Sequence, residues 1–174
     1  MKPVTHGLSM AALLTAFATP AAADLNVKFV ESAPKDWFAV TNNGSCTLAS
    51  FQLNIDLSNS AGKLIFDTTA SGAGVEVFQP FEVKSGSVSL VSSATVQDGD
   101  QAVSVLVENL QPGETASFTI DVDDTLTNSE LGMIRVSKSE ISGSAIKLVF
   151  ADKLELQGQL DRSGQLTLAH SGCV

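Results

Sequence analysis

The chain has 174 residues, a formal net charge of −9, nine phenylalanines, one tryptophan and no tyrosine. That length supports one domain with a proper core. The acid excess argues against nucleic acid and against an anionic membrane as partners; it fits cations, cationic partners or plain solubility.

The N-terminus carries Lys2, an apolar run from Leu8 to Phe17 and an Ala-x-Ala site at Ala21 and Ala23. This pattern predicts a cleaved secretory signal peptide over 1–23 and a single domain over 24–174, placing the protein in the periplasm or outside the cell. The apolar run is well short of the ~20 residues of a spanning helix, and no later stretch reaches that length, so no membrane span is expected.

Short strands follow. Leu25–Glu31 and Asp36–Asn42 flank Ala33-Pro34, and Asn43-Gly44-Ser45 is a turn. Thr47–Leu57 alternates most clearly: Phe51, Leu53, Ile55 and Leu57 against Gln52, Asn54 and Asp56. The turn at Asn59–Gly62 predicts a hairpin with Lys63–Asp67. Thr68–Gly74 is a small, polar loop, and Pro80 interrupts a mixed segment over Val75–Val83. Gly86–Ser92 and Ala102–Asn109 are strands joined across Asp98-Gly99-Asp100, an Asp-Gly turn before it is anything else.

Pro112-Gly113 suits the centre of a type II turn. From Ala116 the chain alternates again, with Phe118, Ile120 and Val122 on one face and Thr119, Asp121 and Asp123 on the other. Thr125–Gly132 is a loop, and Met133–Lys138 is a strand or one helical turn. Ser144–Phe150 is a strand, and Leu154–Leu160 with Gln165–His170 predicts a last hairpin around Asp161–Gly164. About ten short strands and no sustained helical period make an all-β protein, a single antiparallel β-sandwich of jelly-roll or Ig-like style.

Asp121, Asp123 and Asp124 place three carboxylates within four residues at a strand end. They repel one another unless solvated or neutralised by a cation. Ca²⁺ takes six to eight oxygens, so these acids are candidate ligands, with Glu130 or Asn128 from the following loop as further donors. The set is not an EF-hand, since Leu126 and Gly132 stand where that loop requires Gly and Glu. The plainer alternative is a solvated acidic strand end.

Cys46 and Cys173 are the two cysteines, and in an oxidising compartment they most simply form a disulfide. Closing so long a loop would stabilise the fold by roughly 4–5 kcal/mol in the chain-entropy account. His170 is the one histidine after the cleavage site, too few for a zinc site. No G-x-S-x-G elbow is present, and a sugar-cleaving groove would want more aromatics. Trp37 beside Phe38 is either core or a small ligand platform.

Three stretches, KFVESAPKDWFAVTNNGSC (28–46), FTIDVDDT (118–125) and SEISGSAIKLVF (139–150), resemble the small secreted bacterial proteins labelled aggregation factor core proteins. The resemblance implies a secreted or cell-surface β-rich module with Ca²⁺-dependent adhesion or self-association through protein or glycan partners. The aspartates are the positions it carries over. The expected function is therefore non-enzymatic adhesion, aggregation or matrix association. The alternatives are a carbohydrate-binding module using Trp37, Gln52 and Asn54, and a secreted hydrolase.

Overall fold

A computed structural model describes residues 23–32, 35–75, 78–91 and 95–170. Residues 1–22 of the expected signal peptide and Cys173 fall outside the described residues, whereas Ala23, its expected last residue, opens the first strand. In chain order the strands are β1 (Ala23–Val30), β2 (Trp37–Asn42), β3 (Phe51–Asp56), β4 (Ile65–Phe66), β5 (Glu82–Ser85), β6 (Val88–Leu90), β7 (Ala102–Val107), β8 (Thr115–Thr119) and β9 (Val122–Asp123). The short helix α1 (Lys138–Ile141) follows, then β10 (Ala145–Phe150), β11 (Glu155–Gln159) and β12 (Gln165–His170).

Alternation builds the core. Phe51, Leu53 and Ile55 of β3 are buried while Gln52, Asn54 and Asp56 are half-exposed, and β10 repeats the pattern with Ile146, Leu148 and Phe150. Such a strand buries one face only and must pair its edges, so two sheets close over the apolar faces. One has the order β12-β1-β2-β8-β5 and the other β11-β10-β3-β7-β6, each antiparallel throughout. The fold is an antiparallel β-sandwich. Phe29, Phe38 and Phe118 come from the first sheet, with ring centroids 5.1 and 5.7 Å apart; Phe51 and Phe150 of the second lie 5.2 Å apart. Burying each such ring contributes about 1.5–3 kcal/mol.

Three pairings differ from the sequence expectations. The turn after Leu57 forms, with Ser60 N donating to Leu57 O at 2.9 Å, yet β4 does not fold back on β3. Both edges of β3 are already taken by β10 and β7, so β4 crosses out and pairs with β9 in a separate two-stranded ribbon. Likewise β11 and β12 are not a hairpin: β11 pairs with β10 and β12 with β1, so the Asp161–Gly164 turn carries the chain from one sheet to the other. The strand expected to run through Asp123 breaks at Ile120. Ile120 N and Asp121 N still donate to Asp36 O and Gln79 O, in the segments before β2 and β5, and from Val122 the backbone pairs with β4 in the ribbon instead.

His170 closes β12 as a buried residue, its ring 4.9 Å from that of Phe150. Cys46 packs against the core and is not a free thiol.

Candidate functional site

The break at Ile120 changes what the aspartates are. A strand continuing in the sheet would have turned Asp121 and Asp123 to solvent. In the ribbon Asp123 lies opposite Ile65, and Asp67 N donates to Asp121 O at 3.2 Å, which sets Asp67 across from Asp121. Side chains two residues apart share a face of a strand, so Asp67, Asp121 and Asp123 converge. All three are buried, at 2%, 5% and 0% exposure, and Asp124 is buried beside them at 1%. Asp36, at the entry to β2, is a fifth buried aspartate within electrostatic reach of Asp121 and Asp123.

The loop after β4 covers this cluster. Val75 N donates to Asp123 Oδ2 at 2.8 Å. A Cβ placed on Gly74 would lie 2.3 Å from Asp67 Oδ2 and 2.8 Å from Asp123 Oδ2, and Gly74 has φ of +111°. Only glycine lets the backbone pass so close over two carboxylates in that conformation.

Four oxygens of the cluster have no hydrogen-bond partner among the described residues: Asp67 Oδ2, Asp121 Oδ2, Asp123 Oδ1 and Asp124 Oδ2. The three ion pairs of the described residues, Lys35–Glu82, Arg135–Glu31 and Lys147–Glu155, lie elsewhere and use none of these aspartates. Burial, with the mutual repulsion of Asp67, Asp121 and Asp123, pushes Asp121 and Asp123 up to about 7. Burial raises Asp67 too, and raises Asp36 to about 8 against the opposing hydrogen bond from Ser32 N. An ionised carboxylate without a partner costs several kcal/mol in such a place. Two states resolve that cost. Either some of the carboxyls hold protons, with one of the Asp67–Asp123 pair donating to the other, or a cation replaces those protons.

A hard cation with oxygen ligands suits the donor set, which has carboxylates and no thiolate or imidazole. Among the described residues, no three acidic, histidine or cysteine side chains stand in ready-made metal-ligating geometry. A cation would therefore have to draw the carboxylates inward. Asp124 is already partly held, since its Oδ1 accepts from Leu126 N at 3.0 Å in a local turn.

The other sequence candidates sit apart. Glu130 is exposed, and its Oε2 accepts from Ser139 Oγ at 2.8 Å. It belongs to the base of the 130–137 loop and does not join the aspartates, and Asn128 is exposed as well. Asp98 is an anchor: its Oδ1 accepts from Thr68 N and Thr69 N at 2.8 and 3.0 Å, and its Oδ2 from the Thr69 hydroxyl. Trp37 lies on the outer face of the first sheet with Lys84 Nζ 4.0 Å from its ring, whereas Gln52 and Asn54 are on the outer face of the second. These three cannot form one sugar-binding face.

Sequence reasoning found Asp121, Asp123 and Asp124 and missed Asp67 and Asp36. Asp67 stands in Phe66-Asp67-Thr68, much as Asp123 and Asp124 follow Val122 and precede Thr125, but one acid after an apolar pair carries no metal signal by itself. Comparison with family models, curated proteins and solved structures finds no match to this chain.

Proposed function

We propose that this protein is a non-catalytic β-sandwich of the cell exterior whose Asp67, Asp121, Asp123 and Asp124 carboxylates take up Ca²⁺, and that the cation-loaded form serves adhesion or matrix association. The observation that carries the reading is the set of four buried carboxylate oxygens with no donor among the described residues. A divalent ion offsets that charge and ties β4, β9 and the loop at Gly74 together. Ca²⁺ fits better than Mg²⁺, because a site that must close by side-chain movement suits the ion tolerant of irregular geometry. A catalytic reading is less well supported: none of four clefts on the described surface is lined by the clustered aspartates or His170. The adhesion part rests on the resemblance in sequence and on the acidic, secreted character expected of the chain.

Thermal unfolding of the purified protein in Ca²⁺, in Mg²⁺ and in EGTA tests the site. A ligand held only by the folded state adds RT ln(1 + [L]/Kd), about 2.7 kcal/mol at a hundred times Kd. The expected result is a rise of several degrees in Ca²⁺ that Asp121→Asn/Asp123→Asn removes. An unchanged melting temperature at millimolar Ca²⁺ would refute the site.

A glycan-binding reading keeps one observation in its favour. A groove of about 540 Å³ on the outer face of the second sheet is lined by Asn54, Lys147, Gln157 and Gln159, all hydrogen-bonding side chains. Glycan-array binding lost on Asn54→Ala/Gln157→Ala would support it.

A further inference from the structure

The two sheets end side by side at β5 and β6, the outermost strands on one flank of the sandwich. That flank leaves core side chains partly uncovered. Phe81 precedes β5 with its ring 5.1 Å from that of Phe118, and Leu90 closes β6. Both pack on the core, as Val96 does, and all three stay half-exposed. With Pro80 they floor a cleft of about 610 Å³. An apolar floor with a few fixed polar groups, at this size, is the usual make-up of a small-molecule site.

One wall of the cleft is the loop after Asp67, and Asp98 holds it. Asp98 Oδ1 accepts from Thr68 N and Thr69 N at 2.8 and 3.0 Å, and Oδ2 accepts from the Thr69 hydroxyl. The Thr68 hydroxyl donates to Val96 O at 2.8 Å and ties the wall to the floor. Gly72, with φ of +125°, passes over the same carboxylate: a Cβ there would lie 2.8 Å from Asp98 Oδ2. Glycine keeps room beside that oxygen, and Asp98 stays half-exposed in the cleft wall. Burial pushes its carboxyl up, but the hydrogen bonds from the Thr69 hydroxyl, Thr68 N and Thr69 N together hold it below the ordinary aspartate value. Neutral donors fix this charge in place without cancelling it.

Among the described residues no lysine, arginine or histidine lines the cleft. The bases of neighbouring elements are engaged or turned elsewhere. Lys35 pairs with Glu82, Lys84 lies over Trp37 on the outer face, and Lys63 stands exposed at the turn before β4. The acids close by add to the sign of Asp98. Asp67 is within its electrostatic reach, and Asp100 accepts from Gln97 N at 2.9 Å.

We infer that this cleft binds a small organic cation, an ammonium group on an aromatic or aliphatic body, with the body on Phe81, Leu90 and Val96 and the ammonium at Asp98. The fixed carboxylate selects against an anion, and an ammonium gives it a charge-assisted hydrogen bond that a neutral ligand lacks. The site is concave and local, which suits a molecule rather than a protein partner needing roughly 800 Å² of face. The inference is independent of the cation site. None of the clustered aspartates lines the cleft, and Asp98 is anchored without a metal.

Three probes that share one body test it: phenethylammonium, phenethyl alcohol and hydrocinnamate, each titrated at neutral pH in EGTA into the isotope-labelled protein and followed by NMR. The expected result is saturable binding of the ammonium that shifts the amide signals of Thr69, Ser71, Val96 and Gln97. It should be about fivefold tighter than the alcohol and weakened by salt, with the carboxylate weaker than the alcohol. Asp98→Asn should abolish the preference for the ammonium. Because Asp98 also anchors the loop, Thr95→Lys is the second variant: Thr95 is exposed on the rim, and its replacement leaves the anchor in place. It should lower ammonium binding about fivefold or more and raise that of the carboxylate. Val96→Ser should weaken all three probes. Absence of saturable ammonium binding would overturn the inference, as would equal affinity for the three probes or an order unchanged in Thr95→Lys. Shifts centred on the amides of Asp121 and Asp123 instead of those of the cleft would also overturn it.

Discussion

Two sets of buried carboxylates in this sandwich have opposite surroundings. Glu140 is 4% exposed, and both of its oxygens are engaged: one by Glu130 N, the other by Ser137 N, with Ser137 Oγ returning a bond from Glu140 N. That is a capping box at the start of α1, extended to close a loop. Asp67, Asp121, Asp123 and Asp124 are buried as deeply and each keeps an oxygen with no donor. Burial by itself therefore does not mark function. A buried acid whose acceptors are filled is part of the scaffold, whereas a group of acids left with acceptors empty carries charge that a proton or a cation would have to neutralise.

The largest effect that separates the two sets is in Glu140→Ala. It strands two backbone N–H groups inside the protein, and hydrogen bonds to a charged acceptor contribute about 1.5–3 kcal/mol each. A loss of about 3 kcal/mol or more in urea unfolding is expected, the same in Ca²⁺ and in EGTA. A loss confined to Ca²⁺ would place Glu140 with the cation cluster and erase the distinction.

Asp123→Asn should act in the other direction. In EGTA it removes one buried charge and supplies an amide N–H facing Asp67, so stability should rise by about 1 kcal/mol. In Ca²⁺ the same variant should lose most of the cation's stabilisation. Destabilisation in EGTA comparable to that of Glu140→Ala would show Asp123 to be an ordinary structural acid.

A pH slope separates the two sets as well. Asp36 titrates at about 8 and Asp121 and Asp123 at about 7 in the fold, against an ordinary value of 3.8. Their pKa values are raised, so the folded state binds more protons than the unfolded one. In EGTA the stability from these groups is complete below about pH 4 and is lost as pH rises to about 8. The slope is at most about 1.4 kcal/mol per pH unit for each fully titrating group. Ca²⁺ competes with those protons, so its stabilising effect should grow over the same window. Chemical unfolding at a series of pH values with and without Ca²⁺ measures both; a flat profile in EGTA would mean that the acids are solvated.

Much of the strand content was legible because alternation is a local signal. Phe51, Leu53 and Ile55 against Gln52, Asn54 and Asp56 identify the buried face of β3 without knowledge of its neighbours. Pairing was less legible. The Leu57 turn reads as a hairpin, but the edges of β3 are occupied by strands distant in sequence, and no local pattern records that. The stretch Leu131-Gly132-Met133-Ile134 was divided between a loop ending at Gly132 and a strand or helical turn starting at Met133, and neither expectation put its side chains in water.

The sequence alone determined that the chain is all-β and antiparallel, where most turns fall, and that Asp121, Asp123 and Asp124 lie at a strand end, since each follows from residue type and a period of two. The tertiary structure decided that the strand leaves its sheet at Ile120, that Asp67 and Asp36 come up to those acids, that Glu130 goes to Ser139 instead, and that four carboxylates are each buried with one oxygen lacking a donor among the described residues. Those outcomes depend on which strand edges are free when the two sheets close, and edge competition is a property of the whole chain rather than of any stretch of it.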